Sequence, residues 1–286
     1  MIRITECPRD AMQGISVFIP TEKKIAYLQK LLSVGFSILD MGSFVSPKAI
    51  PQMADTAAVV EALDMSNTTT KLLVIVANTK GAEQAVQYDK ISYIGFPFSI
   101  SPTFQQKNTN ATLEEAFQRI IELQNLVNQH NKQLQVYISM AFGNPYQDAW
   151  SMDILKYWLD KIIALGITNI ALADTTGVAN EASIQDIYTT IQQAYHSIPI
   201  TAHLHSTPDT AADKIKAAIE AGCKSFDVAI KGFGGCPMAA HSLTGNIATE
   251  KLIHVLESKN IPYSLDKQAF EEAYDLSTTI FNTIIP

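Results

Sequence analysis

The sequence predicts an α/β protein folded as a (β/α)8 TIM barrel with C-terminal helices, on three observations. Eight short β-rich runs alternate with helix-like segments, the order expected of βα units around a parallel sheet. The 286 residues suit one closed barrel of this kind. Polar residues gather where the runs end, whereas the bodies of the runs are apolar. A doubly wound open sheet is the competing fold, but the glycine-rich turn that usually follows its first strand is absent.

The strands are predicted from runs rich in β-branched and aromatic residues. The first, "IRITEC", leads directly into the polar segment "PRDAMQ". The others follow at spacings that leave room for a helix between most neighbours. In chain order the runs cover residues 2–7, 36–44, 71–78, 91–99, 134–142, 167–175, 199–206 and 225–232.

The helices are predicted from capping residues and terminal glycines between those runs. Thr21 is expected to cap a helix that ends at Gly35, and Thr112 with Glu115 has the spacing of a capping box. Segments 151–166 and 210–222 each end in glycine. We expect residues 1–286 to form a single catalytic domain, with helices over about 247–286 closing the barrel.

The composition of the chain disfavours nucleic acids and membranes as partners. The net charge of −7 disfavours a broad nucleic-acid-binding surface. The longest apolar runs fall short of the roughly 18 residues of a membrane span. The first residues lack the pattern of a signal peptide. Three cysteines without a CxxC pair favour a reducing compartment, so we expect a cytoplasmic protein without nucleic-acid or membrane partners.

The stretch "TAHLHS" places two of the six histidines one residue apart. In a strand, side chains alternate between faces, so His203 and His205 point the same way as Thr201, and Ala202 and Leu204 point the other way. One face can pack in the core while the other presents two imidazoles. Two interpretations are open at this point: a metal site, or two histidines that only make hydrogen bonds.

The other strand ends supply possible partners for the two histidines. Asp10 follows the first strand, and Asn246 follows the eighth. One carboxylate, two imidazoles and one amide form a mixed oxygen and nitrogen set that suits Mg²⁺ or Mn²⁺, with Zn²⁺ possible, and these partners favour the metal interpretation. Plainer alternatives are an Arg9–Asp10 ion pair, and Asn246 as a helix cap. Further polar residues at the strand ends, where we expect substrate contacts, are Gln13, Ser43, Lys48, Asn78 and Ser139.

Six motifs together resemble the 3-hydroxy-3-methylglutaryl-CoA lyase family, within a metallolyase barrel group that includes isopropylmalate, homocitrate and citramalate synthases. The resemblance covers nearly the whole chain. The motifs are "PRDAMQ" (8–13), "GSFVSPKAIPQMAD" (42–55), "DTTGV" (174–178), "AHLH" (202–205), "GFGGCP" (232–237) and "GNIATE" (245–250).

The resemblance implies a retro-Claisen cleavage of 3-hydroxy-3-methylglutaryl-CoA into acetyl-CoA and acetoacetate. A divalent metal held by Asp10, His203, His205 and Asn246 would chelate the substrate. Arg9 would stabilise the enolate that forms on the thioester. Cys236 would be the acid that protonates this enolate. The resemblance also implies a catalytic part for His203, roles for Asp40 and Asp174 in orienting the metal ligands and water, and a homodimer.

The chain departs from the family pattern mainly around the substrate. Ser206-Thr207-Pro208-Asp209 replaces the usual Asp-Thr-Tyr-Gly, and Gly14-Ile15-Ser16 replaces Asn-Glu-Lys. These changes leave open a lyase for another 3-hydroxyacyl-CoA. A condensing synthase of the same group and a non-catalytic ligand-binding barrel are the further alternatives.

Lys231 stands where the family usually has alanine. On an eighth strand over 225–232, Asp227, Ala229 and Lys231 share one face, which we expect to point into the barrel. Asp227 would then pair with the buried ammonium, because an unpaired buried lysine is costly. Lys231 would bind a substrate carboxylate or a phosphate of the CoA carrier, unless its side chain only reaches back to solvent.

Overall fold

A computed structural model describes residues 1–235 and 244–281 of the chain. Eight parallel strands form a closed sheet, because β6 pairs with β7 and β8 pairs with β1 in addition to the other sequential pairings. The strands are β1 (Arg3–Glu6), β2 (Ile38–Ser43), β3 (Lys71–Ile75), β4 (Ile91–Ser99), β5 (Gln133–Ser139), β6 (Asn169–Asp174), β7 (Ile200–Ser206) and β8 (Ser225–Val228). The predicted (β/α)8 barrel is confirmed.

Helices surround the barrel and their apolar faces are buried against it. They are α1 (Pro8–Gln13), α2 (Thr21–Val34), α3 (Thr56–Ala62), α4 (Thr79–Ala85), α5 (Pro102–Thr109), α6 (Leu113–Gln129), α7 (Met152–Ile163), α8 (Glu181–Ala194), α9 (Ala211–Glu220), α10 (Thr249–Ser258) and α11 (Lys267–Phe281). Among the described residues, no helix combines the length and the apolar character needed to cross a membrane.

The capping prediction is confirmed for α6 and wrong for α2. Thr112 accepts from the backbone of Glu115, whose side chain accepts from the backbone of Thr112, which is a complete capping box. Helix α2 instead follows Pro20, and the hydroxyl of Thr21 donates to Asp55. Gly35 ends α2 with φ of 86°, a left-handed conformation that glycine adopts at little cost.

Three strands end three or four residues earlier than the sequence predicts, whereas the carboxyl ends of the other strands agree to within one residue. Strand β3 ends at Ile75 rather than 78, and β5 ends before Met140, which has φ of 61°. Strand β8 ends at Val228 rather than 232, because the chain turns at Lys231 with φ of 63°. Beyond Val228 the chain no longer pairs with β7. Ala229 instead forms a parallel bridge with Ala248, which directly precedes α10.

Two short elements absent from the prediction position the polar residues at the carboxyl ends of the strands. The segment "PRDAMQ" forms α1, with Pro8 in the first turn, where a missing N–H costs no hydrogen bond. A two-residue strand, β9 (Gly245–Asn246), runs antiparallel to the end of β7 and places Asn246 opposite His205. The carboxyl end of the barrel therefore gathers residues from both ends of the sequence.

Candidate metal centre and active-site cavity

Asp10, His203 and His205 form a cluster of possible metal ligands at the carboxyl end of the barrel. One ligand atom from each residue lies within 4.8 Å of the others. Within residues 1–235 and 244–281, this is the one group of three or more His, Cys, Asp or Glu side chains with such spacing. Period-two alternation along β7 directs both imidazoles to the same side, as the sequence predicts.

Hydrogen bonds fix both imidazole rings with Nε2 toward the cluster. Nδ1 of His203 lies 3.1 Å from Oδ2 of Asp227, and Nδ1 of His205 lies 3.0 Å from the carbonyl oxygen of Thr175. Nε2 of His205 is buried and has no hydrogen-bond partner among the described residues. A buried polar atom without a partner is unfavourable, so this nitrogen fits a site that a cation fills. Ligating histidines commonly bind a carboxylate or carbonyl through the other nitrogen.

The charges around the cluster favour a cationic ligand. Burial opposes the charged form of Asp10, but Arg9 and the two imidazoles outweigh it and lower the pKa of that carboxyl group. Burial and the neighbouring imidazole lower the pKa of His205. Burial also acts against a charged His203, but its hydrogen bond to Asp227 raises the pKa of His203. Asp10 is therefore an anion and His205 a neutral imidazole near neutral pH, the states in which both bind metals.

Asn246 joins the cluster through its amide group. Its Nδ2 donates to Oδ2 of Asp10 at 2.7 Å and to the carbonyl oxygen of Phe233 at 2.8 Å. Because a backbone carbonyl only accepts, the bond to Phe233 identifies the NH₂ end of the amide and leaves Oδ1 for another partner. Gly234 lies close against this contact, since an added Cβ would meet the carbonyl oxygen of Asp10 at 2.6 Å.

Arg9 lies beside the cluster in a fixed orientation. Its Nε and Nη2 both donate to Asp40, and its Nη1 donates to Asp10 at 3.0 Å and to Gln13 at 2.9 Å. Burial works against its charge, but Asp40 and Asp10 outweigh burial and raise the pKa of Arg9 above its ordinary value. Burial raises the pKa of Asp40 to about 6, although Arg9 acts to lower it.

A cavity of about 400 Å³ opens beside these groups. Its polar wall includes Arg9, Asp10, Gln13, Ser139 and both histidines of the cluster. The rest of its wall is mainly apolar and includes Val45, Ile50, Ile75, Pro97, Phe104 and Tyr137. A cavity of this size, with a few converging polar groups on one side, is typical of a small-molecule site.

Three of the residues predicted to contact substrate lie elsewhere in the described part of the chain. Ser43 is buried, and its hydroxyl accepts from the backbone N–H of Val45. Lys48 is exposed on the loop that follows β2. Asn78 caps α4, where its side chain accepts from the backbone N–H of Gly81 at 2.9 Å. Gln13 and Ser139 do line the cavity.

The prediction that Lys231 points into the barrel and pairs with Asp227 is wrong. Its Nζ donates to the hydroxyl of Thr278 and lies 4.6 Å from the centre of the Tyr274 ring, so the side chain reaches helix α11. The reason is the turn after Val228, because a residue with φ of 63° no longer follows the alternation of a strand. Asp227 does point inward, but it pairs with His203.

Asp174 is turned away from the cavity in the described structure. Its Oδ2 accepts from Nζ of Lys214 at 2.8 Å, and its Oδ1 accepts from the backbone N–H of Ala179 at 3.1 Å. Lys214 could not be singled out from the sequence, because a lysine in an amphipathic helix is usually expected at the surface. The contact of Thr175 with His205 could not be predicted from residue types, because it is made by a backbone carbonyl. Cys236, the predicted acid, lies outside the described residues.

Comparison with known proteins places these features in a family. A model of the family described as HMGL-like matches residues 2–276. The mitochondrial hydroxymethylglutaryl-CoA lyase of Mus musculus is 31% identical over 98% of this chain and 86% of its own length. The Bacillus subtilis HMG-CoA lyase structure superposes with a TM-score of 0.92 at 28% identity, covering 100% of this chain and 95% of that one. An HMG-CoA lyase from Acinetobacter baumannii, in complex with coenzyme A and 3-methylmalate, gives 0.90 at 31% identity, covering 99% and 92% of the two chains. The chain therefore belongs to the HMGL-like family.

Proposed function

We propose that this protein is a metal-dependent carbon–carbon lyase that cleaves 3-hydroxy-3-methylglutaryl-CoA into acetyl-CoA and acetoacetate. The observation that carries the proposal is the convergence of Asp10, His203 and His205 on one point, with the Nε2 of His205 buried and unpartnered in the described structure. Arg9 lies beside that point on the wall of the same cavity. Relatives at about 31% identity carry the name of this lyase.

The donor set supports a resident Mg²⁺ or Mn²⁺, and Zn²⁺ is compatible with it. Asp10, His203, His205 and Asn246 would hold the ion through carboxylate, imidazole and amide atoms, the mixture such ions accept. When bound, the ion supplies Lewis-acid polarisation of the substrate's hydroxyl and carbonyl oxygens. Asp227 and the carbonyl of Thr175 would keep both imidazoles oriented toward it.

In this reaction Arg9 stabilises the charge that develops on the thioester. A base removes the proton of the tertiary hydroxyl group, and the carbon that carries this group becomes the ketone carbon of acetoacetate. The electrons of the broken C–C bond pass to the thioester, which becomes the enolate of acetyl-CoA. A guanidinium that Asp40 already holds in place stabilises this oxyanion without reorganising during the reaction. The enolate then takes up a proton at carbon, a step that the family resemblance assigns to Cys236.

The cavity supports an acyl-CoA as substrate. Its polar wall includes the proposed metal ligands Asp10, His203 and His205, and its apolar wall suits the methyl and methylene groups of a short acyl chain. The complex of the Acinetobacter relative with coenzyme A is consistent with this class of substrate. We further propose a homodimer, as the family resemblance implies, and a cytoplasmic location, which the free thiols of Cys7 and Cys223 and the relatives named cytoplasmic support.

The test combines metal analysis with product analysis. We expect the purified protein to bind one divalent ion per chain, and to form acetyl-CoA and acetoacetate in equal amounts from 3-hydroxy-3-methylglutaryl-CoA with Mg²⁺ or Mn²⁺. His205→Ala should lose both the ion and the turnover, because too few ligands remain for a water-rich cation. His254→Ala is the control, since His254 is exposed on α10.

Two outcomes would contradict the proposal. Full metal occupancy in His205→Ala would place the ion elsewhere. No turnover of this substrate by the metal-loaded protein would reject the named reaction, and a panel of other 3-hydroxyacyl-CoAs then separates a related lyase from a non-catalytic barrel.

A further inference from the structure

Lys214 is a buried lysine directly behind the candidate metal centre. It lies on α9 and is 4% exposed. Its Nζ donates to Oδ2 of Asp174 at 2.8 Å, to the carbonyl oxygen of His205 at 2.7 Å and to the carbonyl oxygen of Gly177 at 3.2 Å. An ammonium group has three N–H donors, so all of them are used. Such complete pairing offsets the large cost of burying the charge.

These three contacts join the ends of two neighbouring strands. Asp174 is the last residue of β6, Gly177 follows in the next turn, and His205 lies near the end of β7. The turn is also closed on Asp174, because the backbone N–H groups of Gly177 and Ala179 donate to its carbonyl and carboxylate oxygens. Lys214 thus holds the turn and the end of β7 at a fixed separation.

The same turn controls the ring of His205. It contains Thr175, whose carbonyl oxygen lies 3.0 Å from Nδ1 of His205 and whose hydroxyl accepts from the backbone N–H of Met140. His205 is therefore held at its backbone by Lys214, and at its ring by a residue of the turn that Lys214 also holds. Both contacts direct the Nε2 of His205 to the point where Asp10 and His203 converge.

We propose that Lys214 is a positioning residue for the metal centre, and that Asp174 acts through Lys214 as its counter-ion instead of contacting the substrate. This inference rests on the proposed metal site. It accounts for the orientation of both Asp174 oxygens away from the cavity in the described structure. Segment Ser206–Asp209, which differs from the family pattern, begins directly after His205. Lys214 fixes the start of this segment, because its Nζ donates to the carbonyl oxygen of His205.

A purely structural role for Lys214 would also make its loss destabilising, so the test needs a matched buried lysine. Lys132 supplies it. Lys132 is 9% exposed, and its Nζ donates to the carbonyl oxygens of Tyr88 at 2.8 Å and Ile91 at 2.7 Å. It precedes β5, at the amino end of the strands, so it lies at the opposite end of the barrel from the metal centre.

The experiment measures Mn²⁺ affinity of the metal-free protein by calorimetry, together with thermal unfolding of the same samples. Lys214→Met should weaken Mn²⁺ binding about 10- to 100-fold, the usual effect of losing an outer-shell contact of a metal site. Lys132→Met should lower the unfolding temperature and bind Mn²⁺ as the unaltered protein does. If Lys214→Met does not fold, Asp174→Asn carries the test. It keeps an oxygen for the N–H of Ala179 but presents an NH₂ group to Lys214, and should weaken Mn²⁺ binding in the same direction.

The outcomes separate this inference from the function on which it rests. If the unaltered protein does not bind Mn²⁺, the metal site and the proposed function fail together. If it binds Mn²⁺ and both Lys214→Met and Asp174→Asn bind it equally well, the positioning role is rejected. Asp174→Asn with a reduced kcat and unchanged Mn²⁺ affinity would also reject it, because Asp174 would then act on the reaction without Lys214.

Discussion

Three side chains that line the cavity, Arg9, His203 and His205, are each held by a hydrogen-bond partner. Asp40 holds Arg9, Asp227 holds His203, and the carbonyl of Thr175 holds His205. Burial makes an unpaired charge costly, so these partners lower the cost of placing charges in the barrel. They also restrict rotation, which keeps the guanidinium and both imidazoles directed at the same region.

At this scale we predict the effect of Arg9→Gln. The change should leave the metal content nearly intact, lower stability because buried Asp40 loses its cationic partner, and lower kcat by a factor on the order of 10²–10³, the usual cost of losing one donor to a developing oxyanion. Arg3→Gln is the matched control, because Arg3 begins β1 at the amino end of the barrel, whereas Arg9 lies in α1 just after the carboxyl end of that strand. Steady-state kinetics with a verified substrate test this. An increased KM with normal kcat would assign Arg9 to ground-state binding.

The ligands of the candidate centre could be predicted from the sequence because alternation along one strand is enough to pair His203 with His205. Asp10 and Asn246 follow from the rule that strand ends meet at one end of a barrel. The partners behind them could not be predicted in the same way. Lys214 approaches from the side of a helix, and the carbonyl of Thr175 depends on a turn whose shape only the folded chain defines.

At the scale of elements, helix α11 is connected to the candidate metal centre through the segment 229–235. Phe233 stacks on Phe281 of α11 with ring centroids 4.5 Å apart, and Lys231 contacts Thr278 and Tyr274 of the same helix. The carbonyl of Phe233 also accepts the hydrogen bond from Asn246. Helix α11 therefore supports the segment that orients the amide of Asn246.

The predicted end of β8 at residue 232 is wrong for a physical reason. An apolar run "SFDVAIKG" predicts a strand over 225–232, but pairing with β1 stops at Val228. Beyond it the chain finds partners outside the barrel, in Ala248 and in Glu250, whose side chain accepts from the backbone N–H of Lys231. Such long-range partners outweigh a local strand preference, which is weak and dependent on context.

For Lys231→Ala we predict a loss of stability without a change in substrate binding. Losing the hydrogen bond to Thr278 and the contact with the Tyr274 ring should cost about 1 kcal/mol in the free energy of unfolding. Urea denaturation measures this cost, and KM should stay unchanged. Thr278→Val removes the same hydrogen bond from the other side, so the two changes should be less than additive when combined. A higher KM with unchanged stability would instead support the original expectation that Lys231 binds substrate.

At the scale of the whole molecule, the barrel closes where the first strand meets the last. Strand β1 pairs with β8 in register from Arg3 to Glu6. Glu6, which is fully buried, adds side-chain hydrogen bonds where β1 meets β8. Its Oε1 accepts from the backbone N–H of Ile230 at 2.7 Å, and its Oε2 accepts from the hydroxyl of Thr249 at 2.6 Å. One carboxyl group thus links β1, the turn after β8 and the start of α10.

Burial raises the pKa of Glu6 to about 8, although both hydrogen bonds act against the rise. An unfolded glutamate has a pKa near 4.3, so between about pH 5 and 8 the folded protein binds a proton that the unfolded chain has released. Stability from this group is therefore complete below the unfolded pKa and is lost as the pH rises toward 8. The loss is at most about 1.4 kcal/mol per pH unit, the free energy equivalent of one pKa unit.

Glu6→Gln tests this dependence, because glutamine resembles the protonated glutamate and does not titrate. We expect the metal-free protein to lose stability relative to Glu6→Gln as the pH rises from 5 to 8, when both are unfolded by urea at each pH. Taking the difference between the two proteins cancels the other titrating groups, and removing metal prevents its own pH-dependent binding from contributing. A difference in unfolding free energy that stays constant across this range would mean that Glu6 is ionised throughout. The hydrogen bonds from Ile230 and Thr249 would then be accepted by a charged carboxylate.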